Sequence, residues 1–157
     1  MWEPVGTLQL AGKYVITPFE ARFFSHIMEI EKASFKNPYS LKILWLLASW
    51  YPELFLADLK GDLLVGYVVA AANEDRGHII SLAVRPDCRR QRIGTDLLAS
   101  LMELLRSLEV VAVSLEVRAD NSAAMALYEK LGFVRSGNVH HYYEDGCTAI
   151  MFKKSLS

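Results

Sequence analysis

The sequence predicts a fold that mixes helices with a β-sheet, α/β (α+β), and three features of its apolar pattern support that prediction. Strand-like apolar runs follow one another through residues 54–59, 63–71 and 78–84. Leucines then recur at helical spacing from Leu97 to Leu108, and another strand-like run covers residues 110–117. Because a strand, a helix and a strand in this order form a right-handed crossover, the two strands that flank the leucine-rich helix are predicted to be parallel.

The composition is typical of one globular domain. Of 157 residues, 52% are hydrophobic and 22% are charged. We expect a single domain over residues 1–157, in which residues 1–12 form a terminal extension or an extra edge segment. The formal net charge of −1 shows no overall excess of positive charge of the kind that nucleic-acid-binding proteins carry.

Several functional classes are disfavoured by what the sequence lacks. No apolar run approaches the roughly 18 residues of a membrane span. The start of the chain has no secretion signal, so the cytoplasm is the default expectation. Cys88 and Cys147 lie far apart without nearby Cys or His, so neither a disulfide framework nor a metal site is expected.

Helix and strand boundaries are predicted from local signals in chain order. Thr17, Pro18 and Glu20 resemble a capping box that starts a helix ending near Ser34. The Asn37-Pro38 pair breaks the pattern, after which Ser40 can cap a second helix that runs to Trp50.

The remaining elements follow from turn residues. Gly61-Asp62 predicts a hairpin between the first two strand-like runs. Asn121 can cap a helix through Leu131, and Gly132 ends it. Residues 133–140 and 148–153 are predicted to be strands.

The basic turn at residues 85–95 lies between a strand and the leucine-rich helix. It contains four arginines and Gly94 at a helix N-terminus, where unpaired N–H groups and a partial positive charge favour an anion such as a pyrophosphate. A solvated basic surface loop is the alternative. Nucleic acid is a weaker interpretation, because no aromatic residues are interleaved with the arginines.

Two side chains are candidates for acid–base chemistry. Glu116 shares a strand face with Ser114 and Arg118, so it is either a general base or a solvent-facing carboxylate paired with arginine. Tyr128 follows a small-residue helix start and is either a proton donor or a packed core tyrosine. The spacing leaves both alternatives open.

Three ordered motifs carry a family resemblance from Gly77 to Phe152. They read GHIISLAVRPDCRRQRIGTDLL, VSLEVRADNSAAMALYEKLGF and HHYYEDGCTAIMFKK. Together they resemble the GNAT superfamily, and within it the ribosomal-protein-alanine and archaeal-type N-terminal (N-alpha) acetyltransferases. The resemblance implies a central mixed, mostly antiparallel seven-stranded sheet, splayed between strands 4 and 5 and flanked by about four helices.

The resemblance also implies acetyl-CoA as co-substrate, with no metal. Backbone groups of Leu82, Ala83 and Val84 would pair with pantetheine, Asn121 would hold the pantetheine arm, and Tyr128 would lie beside the thioester. The pyrophosphate would contact the arginine loop, which we define as Arg89, Arg90, Gln91, Arg92, Ile93, Gly94 and Thr95. Arg92 replaces the first glycine of the family pattern, which costs roughly 1 kcal/mol if the position needs a positive φ. If its backbone is helical, its N–H still donates.

The resemblance gives Glu116 the role of a water-mediated general base and Tyr128 that of general acid. His78 either assists deprotonation or is a structural strand-edge histidine. Tyr39, His78, Tyr142 and Tyr143 are candidates for binding the substrate, whereas tyrosines that bridge core and solvent are the alternative for the three phenols.

The expected acceptor is the α-amino group at the N-terminus of a protein or peptide. A small-molecule amine, a lysine side chain and a non-catalytic acetyl-CoA-binding subunit are the alternatives. Trp45 and Trp50 make the second helix aromatic, and they belong either to the core or to a contact with a second copy or a partner subunit. No nucleic acid or membrane partner is expected.

Overall fold

The computed structural model describes residues 14–157, which form seven strands and four α-helices. The N-terminal segment predicted as an extension lies outside these residues. The elements in chain order are β1 (Val15–Pro18), α1 (Phe24–Ser34), α2 (Leu41–Trp50), β2 (Phe55–Lys60), β3 (Leu63–Asn73), β4 (Arg76–Val84), α3 (Ile93–Ser107), β5 (Ala112–Arg118), α4 (Ser122–Lys130), β6 (Val134–Val139) and β7 (Ala149–Ser155).

The strands form one mixed sheet in the order β1-β2-β3-β4-β5-β7-β6. The pairs β1 with β2, β2 with β3, β5 with β7 and β6 with β7 are antiparallel. β4 and β5 are parallel, as the crossover predicts, and their pairing is confined to three residues of each strand, from Arg76↔Ala112 to His78↔Ser114. The predicted fold class, with a sheet that opens between its fourth and fifth strands, is confirmed.

The predicted helix start at Thr17 is wrong. Val15–Pro18 is the edge strand β1, which pairs with β2 through Ile16↔Asp58 and Thr17↔Ala57. A 3₁₀ turn over Ala21–Phe23 precedes α1, and Glu20 makes no side-chain cap. The ladder to β2 and the burial of Ile16 stabilise an extended backbone, so tertiary pairing overrides the local capping signal.

The other helix signals are confirmed. The Ser40 side chain accepts a hydrogen bond from the Ile43 N–H at 3.3 Å, and the Asn121 side chain accepts one from the Ala124 N–H at 3.1 Å. Gly132, with φ of +91°, follows α4 where the chain leaves the helix. Each signal is local, so the prediction needed no knowledge of tertiary contacts.

The described chain divides into two compact units. The first unit comprises residues 14–71 and Ile80–Leu104. Its core contains apolar residues of the 3₁₀ turn, α1, α2, β2, β3 and β4: Phe23, Ile27, Ile30, Leu44, Leu47, Phe55, Ala57, Leu64, Tyr67, Val69 and Ala83. Gly66 permits β3 to approach α3, because a Cβ at this position would lie 2.9 Å from a methyl group of Ile93.

The second unit comprises Ala72–Ile79 and Leu105–Ser157. On β5, Val113, Leu115 and Val117 are buried, whereas the alternate residues are half-buried, so the predicted period of two is confirmed. The ring of Tyr128 packs against Phe133 and Phe152, with centroid distances of 5.6 and 6.1 Å. The single-domain assignment of the whole chain stays a prediction.

The aromatic helix α2 buries Leu44 and Leu47 but leaves its tryptophans outside the core. Trp45 is 57% exposed and Trp50 is 62% exposed, so the core interpretation is wrong for both rings. A contact with another chain is the remaining interpretation from the sequence. Within residues 14–157, no helix is both long enough and apolar enough to cross a membrane.

Candidate functional site

The arginine loop joins the end of β4 to the start of α3 in the first unit. Arg90 and Arg92 have φ of +64° and +66°, whereas Gln91 between them stays outside the left-handed region. Arg92 therefore occupies the left-handed conformation that the family glycine would adopt freely, at a cost of roughly 1–2 kcal/mol. Alternation of this kind turns successive N–H groups toward one side of the loop, which makes a concave anion-binding surface.

The first turn of α3 adds further donors next to this loop. The carbonyl of Arg92 accepts the first helical hydrogen bond, from the Asp96 N–H at 2.9 Å. The N–H groups of Ile93, Gly94 and Thr95 therefore belong to the helix start, where no preceding turn supplies acceptors. Arg90 and Arg92 are exposed beside them. This donor set fits a diphosphate of the kind that acetyl-CoA carries.

Two other arginines make side-chain hydrogen bonds that fix the loop to the rest of the unit. The Nε of Arg89 donates to the Val84 carbonyl at 3.3 Å, and one of its terminal nitrogens donates to the Ser34 hydroxyl at 3.4 Å. Arg85 donates to the Leu64 carbonyl at 3.2 Å and forms an ion pair with Glu29 at 3.0 Å. The sequence grouped all four arginines as one cluster, and the structure shows that Arg85 and Arg89 are held by hydrogen bonds to other parts of the unit.

The three residues predicted to bind pantetheine end β4 in the same unit. Ala83 is buried in the core, and Leu82 and Val84 are half-buried. The Ala83 side chain therefore fixes the strand in the core, and this residue can offer a ligand only its backbone groups.

The second unit brings together three polar side chains, which we call the carboxylate site: His78, Glu116 and Tyr142. The Nε2 of His78 lies 3.0 and 2.8 Å from the two carboxylate oxygens of Glu116. The Tyr142 hydroxyl donates to Oε1 of Glu116 at 3.3 Å. Glu116 is mostly buried, with 15% of its side chain exposed, while 40% of the His78 side chain faces solvent.

The carboxylate site follows from strand register. His78 on β4 pairs with Ser114 on β5, and Glu116 lies two residues farther along β5 on the same face as Ser114. The sequence placed Glu116 on this face with Arg118. The alternating strand pattern could not predict the contact between Glu116 and His78, because His78 is 38 positions away in the chain.

Tyr128 lies in α4 and is buried in the second unit. Burial raises the pKa of its hydroxyl above the ordinary value, and the nearby Tyr143 raises it further. Tyr128 therefore stays protonated throughout the physiological pH range, so that it is a hydrogen-bond donor at any such pH.

Arg118 organises the loop that contains the two neighbouring tyrosines. Its guanidinium contacts Asp145 at 2.6 Å and Asp120 at 3.1 Å, and it stacks on the Tyr143 ring at 4.9 Å. Tyr142 and Tyr143 pack edge to face at 5.0 Å. Burial, with Tyr142 and Glu116 nearby, raises the pKa of Tyr143 to about 12. Sequence reasoning missed this role of Arg118, because only folding brings Asp145 to it.

The remaining candidates have more ordinary surroundings. Asn121 uses its side-chain oxygen as the cap of α4, which leaves its amide NH₂ as a donor. Tyr39 is exposed in the first unit, between α1 and α2.

In residues 14–157 no cluster of three or more His, Cys, Asp or Glu side chains could hold a metal ion, and Cys88 and Cys147 are free thiols.

Known proteins resemble this chain in sequence and fold. The model of the acetyltransferase (GNAT) family matches residues 24–133. An uncharacterized N-acetyltransferase of Methanocaldococcus jannaschii is 35% identical over 89% of this chain and 90% of that protein. An N-alpha-acetyltransferase of Sulfurisphaera tokodaii is 33% identical over 70% of this chain and 73% of that protein.

Solved structures agree with these relatives. Ard1 from Thermoplasma volcanium superposes with a TM-score of 0.90 and 26% identity, covering 92% of this chain and 99% of that one. The ribosomal-protein-S18-alanine N-acetyltransferase from Escherichia coli gives a TM-score of 0.81 and 30% identity, covering 92% and 94%.

Proposed function

Because this chain belongs to the acetyltransferase (GNAT) family and uses acetyl-CoA, we propose that it acetylates the α-amino group at the N-terminus of a protein. The observation that carries this proposal is the carboxylate site. Glu116, His78 and Tyr142 form a hydrogen-bonded group that can take a proton from an amine. Relatives named N-alpha-acetyltransferase support the choice of acceptor.

The chemistry of the acceptor also favours an N-terminus. An amine must lose a proton before it attacks a thioester. An α-amino group, with a pKa of about 8, does so more readily than a lysine side chain at about 10.4. A carboxylate with a histidine partner is a modest base, and a modest base is sufficient for the α-amino group.

Within the carboxylate site, Glu116 is the general base. When Nε2 of His78 donates to the carboxylate, Nδ1 is left as an acceptor on a ring that is 40% exposed to solvent. The amine proton then reaches Glu116 through an ordered water, with His78 orienting the carboxylate and offering a second acceptor. Tyr142 donates to the same carboxylate and holds it in place.

Acetyl-CoA supplies the activated acetyl group as a thioester. The helix-start N–H groups and the exposed Arg90 and Arg92 of the arginine loop bind its diphosphate. Backbone groups of Leu82, Ala83 and Val84 and the amide of Asn121 hold the pantetheine arm. Gln91, between these two arginines, and Thr95, in the first turn of α3, belong to the same diphosphate-binding loop.

Tyr128 is the acid of the reaction. Because burial raises its pKa, its proton is always present, but full transfer to a thiolate with a pKa of about 8.5 is uphill. Its main contribution is a hydrogen bond donated to the sulfur as negative charge develops there. In the second unit, Tyr142 and Tyr143 bind the first residues of the acceptor, and Tyr39 of the first unit is a separate candidate for acceptor binding.

Purified protein given acetyl-CoA and two matched peptides tests the proposal. One peptide has a free N-terminal alanine and no lysine; the other has a blocked N-terminus and one lysine. We expect mass spectrometry to detect one added acetyl group on the first peptide alone. Acetylation of the blocked peptide alone would refute the N-terminal assignment, and binding of acetyl-CoA without turnover would identify a non-catalytic subunit.

A further inference from the structure

The sheet face that carries the carboxylate site continues, within the second unit, into a region that the proposed chemistry does not use. His78 on β4 pairs with Ser114 on β5, and Ser114 pairs in turn with Lys153 on β7. Side chains of directly paired residues lie on the same face of a sheet. Lys153 therefore belongs to the same row and the same face as His78.

The next row of this face, farther from Glu116, contains Arg76, Ala112 and Ser155. Arg76 is two residues before His78 on β4, so its side chain lies on the same side of the sheet. The Arg76 side chain is 74% exposed, and Lys153 is exposed as well. These two cations, which we call the basic end, lie on either side of the strand that carries Glu116.

A cleft of about 500 Å³ adjoins the basic end. Its lining includes Arg76, Ala112 and Lys153 from the two rows, together with Lys154 and Ser155 at the end of β7. Three of the described lining residues are cationic, and none of them is acidic. A cleft with one sign of charge attracts ligand groups of the opposite sign, so this one suits an anionic group.

Little of this positive charge is neutralised by the protein itself. Within residues 14–157, neither Lys153 nor Lys154 forms an ion pair. Arg76 contacts Asp75 at 3.7 Å, but both side chains are more than half exposed, so water and salt weaken this pair. The charge of the cleft is therefore available to a ligand.

The opposite end of the same face is negative. Glu116 lies two residues before Arg118 on β5, and Arg118 is one cation held between the carboxylates of Asp120 and Asp145. The face therefore changes from net negative around Glu116 to net positive at the basic end. The N-terminus of a peptide is a cation before it loses its proton, so this distribution favours the amine at Glu116 and acidic side chains at the basic end.

We propose that the basic end is an acceptor subsite that selects peptides with an acidic side chain at their third or fourth residue. The inference rests on the proposed function, because the amine lies at Glu116 only under that proposal. Lys153 is one row from Glu116, about 7 Å along the strands, and Arg76 is two rows away. The third and fourth residues of an extended peptide lie about 7 and 10 Å from the first, so their side chains reach the two cations.

The test uses two lysine-free peptides with a free N-terminal alanine, one with glutamate and one with glutamine at positions 3 and 4. Steady-state kinetics at saturating acetyl-CoA give KM and kcat for each peptide. In dilute buffer we expect wild type to have a KM about fivefold lower for the glutamate peptide, the product of two exposed ion pairs of ordinary strength. The kcat values stay within about twofold of each other, because neither cation takes part in proton or acetyl transfer. The KM difference shrinks as salt is added.

Variants of the exposed cations assign the preference to the basic end. Lys153→Gln should reduce it to about twofold, and the double variant Arg76→Gln/Lys153→Gln should remove it. The matched control is Lys130→Gln, which removes an equal charge from an exposed position on α4, on the other face of the sheet. It should keep the fivefold preference. Lys153→Glu should reverse the order, so that a peptide with arginine at positions 3 and 4 has a lower KM than the glutamate peptide.

Equilibrium binding separates this inference from the proposed function. Fluorescence anisotropy of the two peptides, labelled at their C-termini, measures Kd without turnover and should give the same preference. If wild type acetylates neither peptide, the proposed function fails, while a Kd preference that the double variant loses still supports an acid-binding subsite. Equal affinity of wild type for the two peptides overturns the inference. A preference that survives in the double variant, or that Lys130→Gln loses to the same extent as Lys153→Gln, overturns it as well.

Discussion

Backbone conformation presents the donors of the arginine loop, whereas side chains build the carboxylate site. In the loop, Arg90 and Arg92 adopt φ of +64° and +66°, and the helix start of α3 supplies N–H groups. In the carboxylate site, Glu116 is held by His78 at 2.8 Å and by Tyr142 at 3.3 Å. Sequence changes in the loop are therefore tolerated as long as the backbone keeps its shape, whereas the carboxylate site depends on the identity of each side chain.

The difference explains how Arg92 can replace a glycine of the family pattern. A left-handed backbone presents its N–H whatever side chain it carries, so the loop keeps its donors at a cost in strain. No comparable substitution is available at Glu116, because no other side chain provides two negatively charged oxygens at the same distance from the strand.

The largest effect is expected from Glu116→Gln, which keeps the shape of the carboxylate site and removes its base. We expect kcat for the alanine peptide to fall about 10²- to 10⁴-fold, the usual contribution of a general base. Calorimetry should give an unchanged Kd for acetyl-CoA. Ser114→Ala, on the same face of β5, is the matched control and should keep wild-type kcat. A kcat within about threefold of wild type would exclude Glu116 as the base.

An intermediate effect is expected from His78→Gln. The amide can still donate to Glu116, but the ring acceptor is lost, so kcat should fall about tenfold with little change in the peptide KM. Stopped-time assays with saturating acetyl-CoA would measure it. If His78→Gln lost as much activity as Glu116→Gln, His78 and not Glu116 would be the group that receives the proton.

The smallest effect, and the one that sharpens the comparison, concerns the strain at Arg92. Arg92→Gly and Arg92→Ala both remove the guanidinium, but only glycine adopts φ of +66° without a steric penalty. Arg92→Gly should be more stable than Arg92→Ala by about 1 kcal/mol in urea unfolding. Both should bind acetyl-CoA equally, and a weaker-binding Arg92→Gly would show that a fixed left-handed backbone matters for affinity.

The sequence by itself determined the elements whose signals are local. Ser40 and Asn121 cap their helices through bonds that span three residues. Alternation along β5 placed Glu116 on the less buried face, and the change of period before Leu97 predicted the crossover that makes β4 and β5 parallel. The basic turn was identified for the same reason, because its arginines and its helix start are neighbours in the chain.

Only the tertiary structure decided which distant groups meet. It made Val15–Pro18 a strand by pairing it with β2, brought His78 and Tyr142 to Glu116, and joined Asp145 to Arg118. It also joined Arg85 to the Leu64 carbonyl and Arg89 to the Ser34 hydroxyl. The physical reason is that hydrogen bonds, ion pairs and burial depend on distance in space, and a local pattern of residue types carries no information about contacts between residues far apart in the chain.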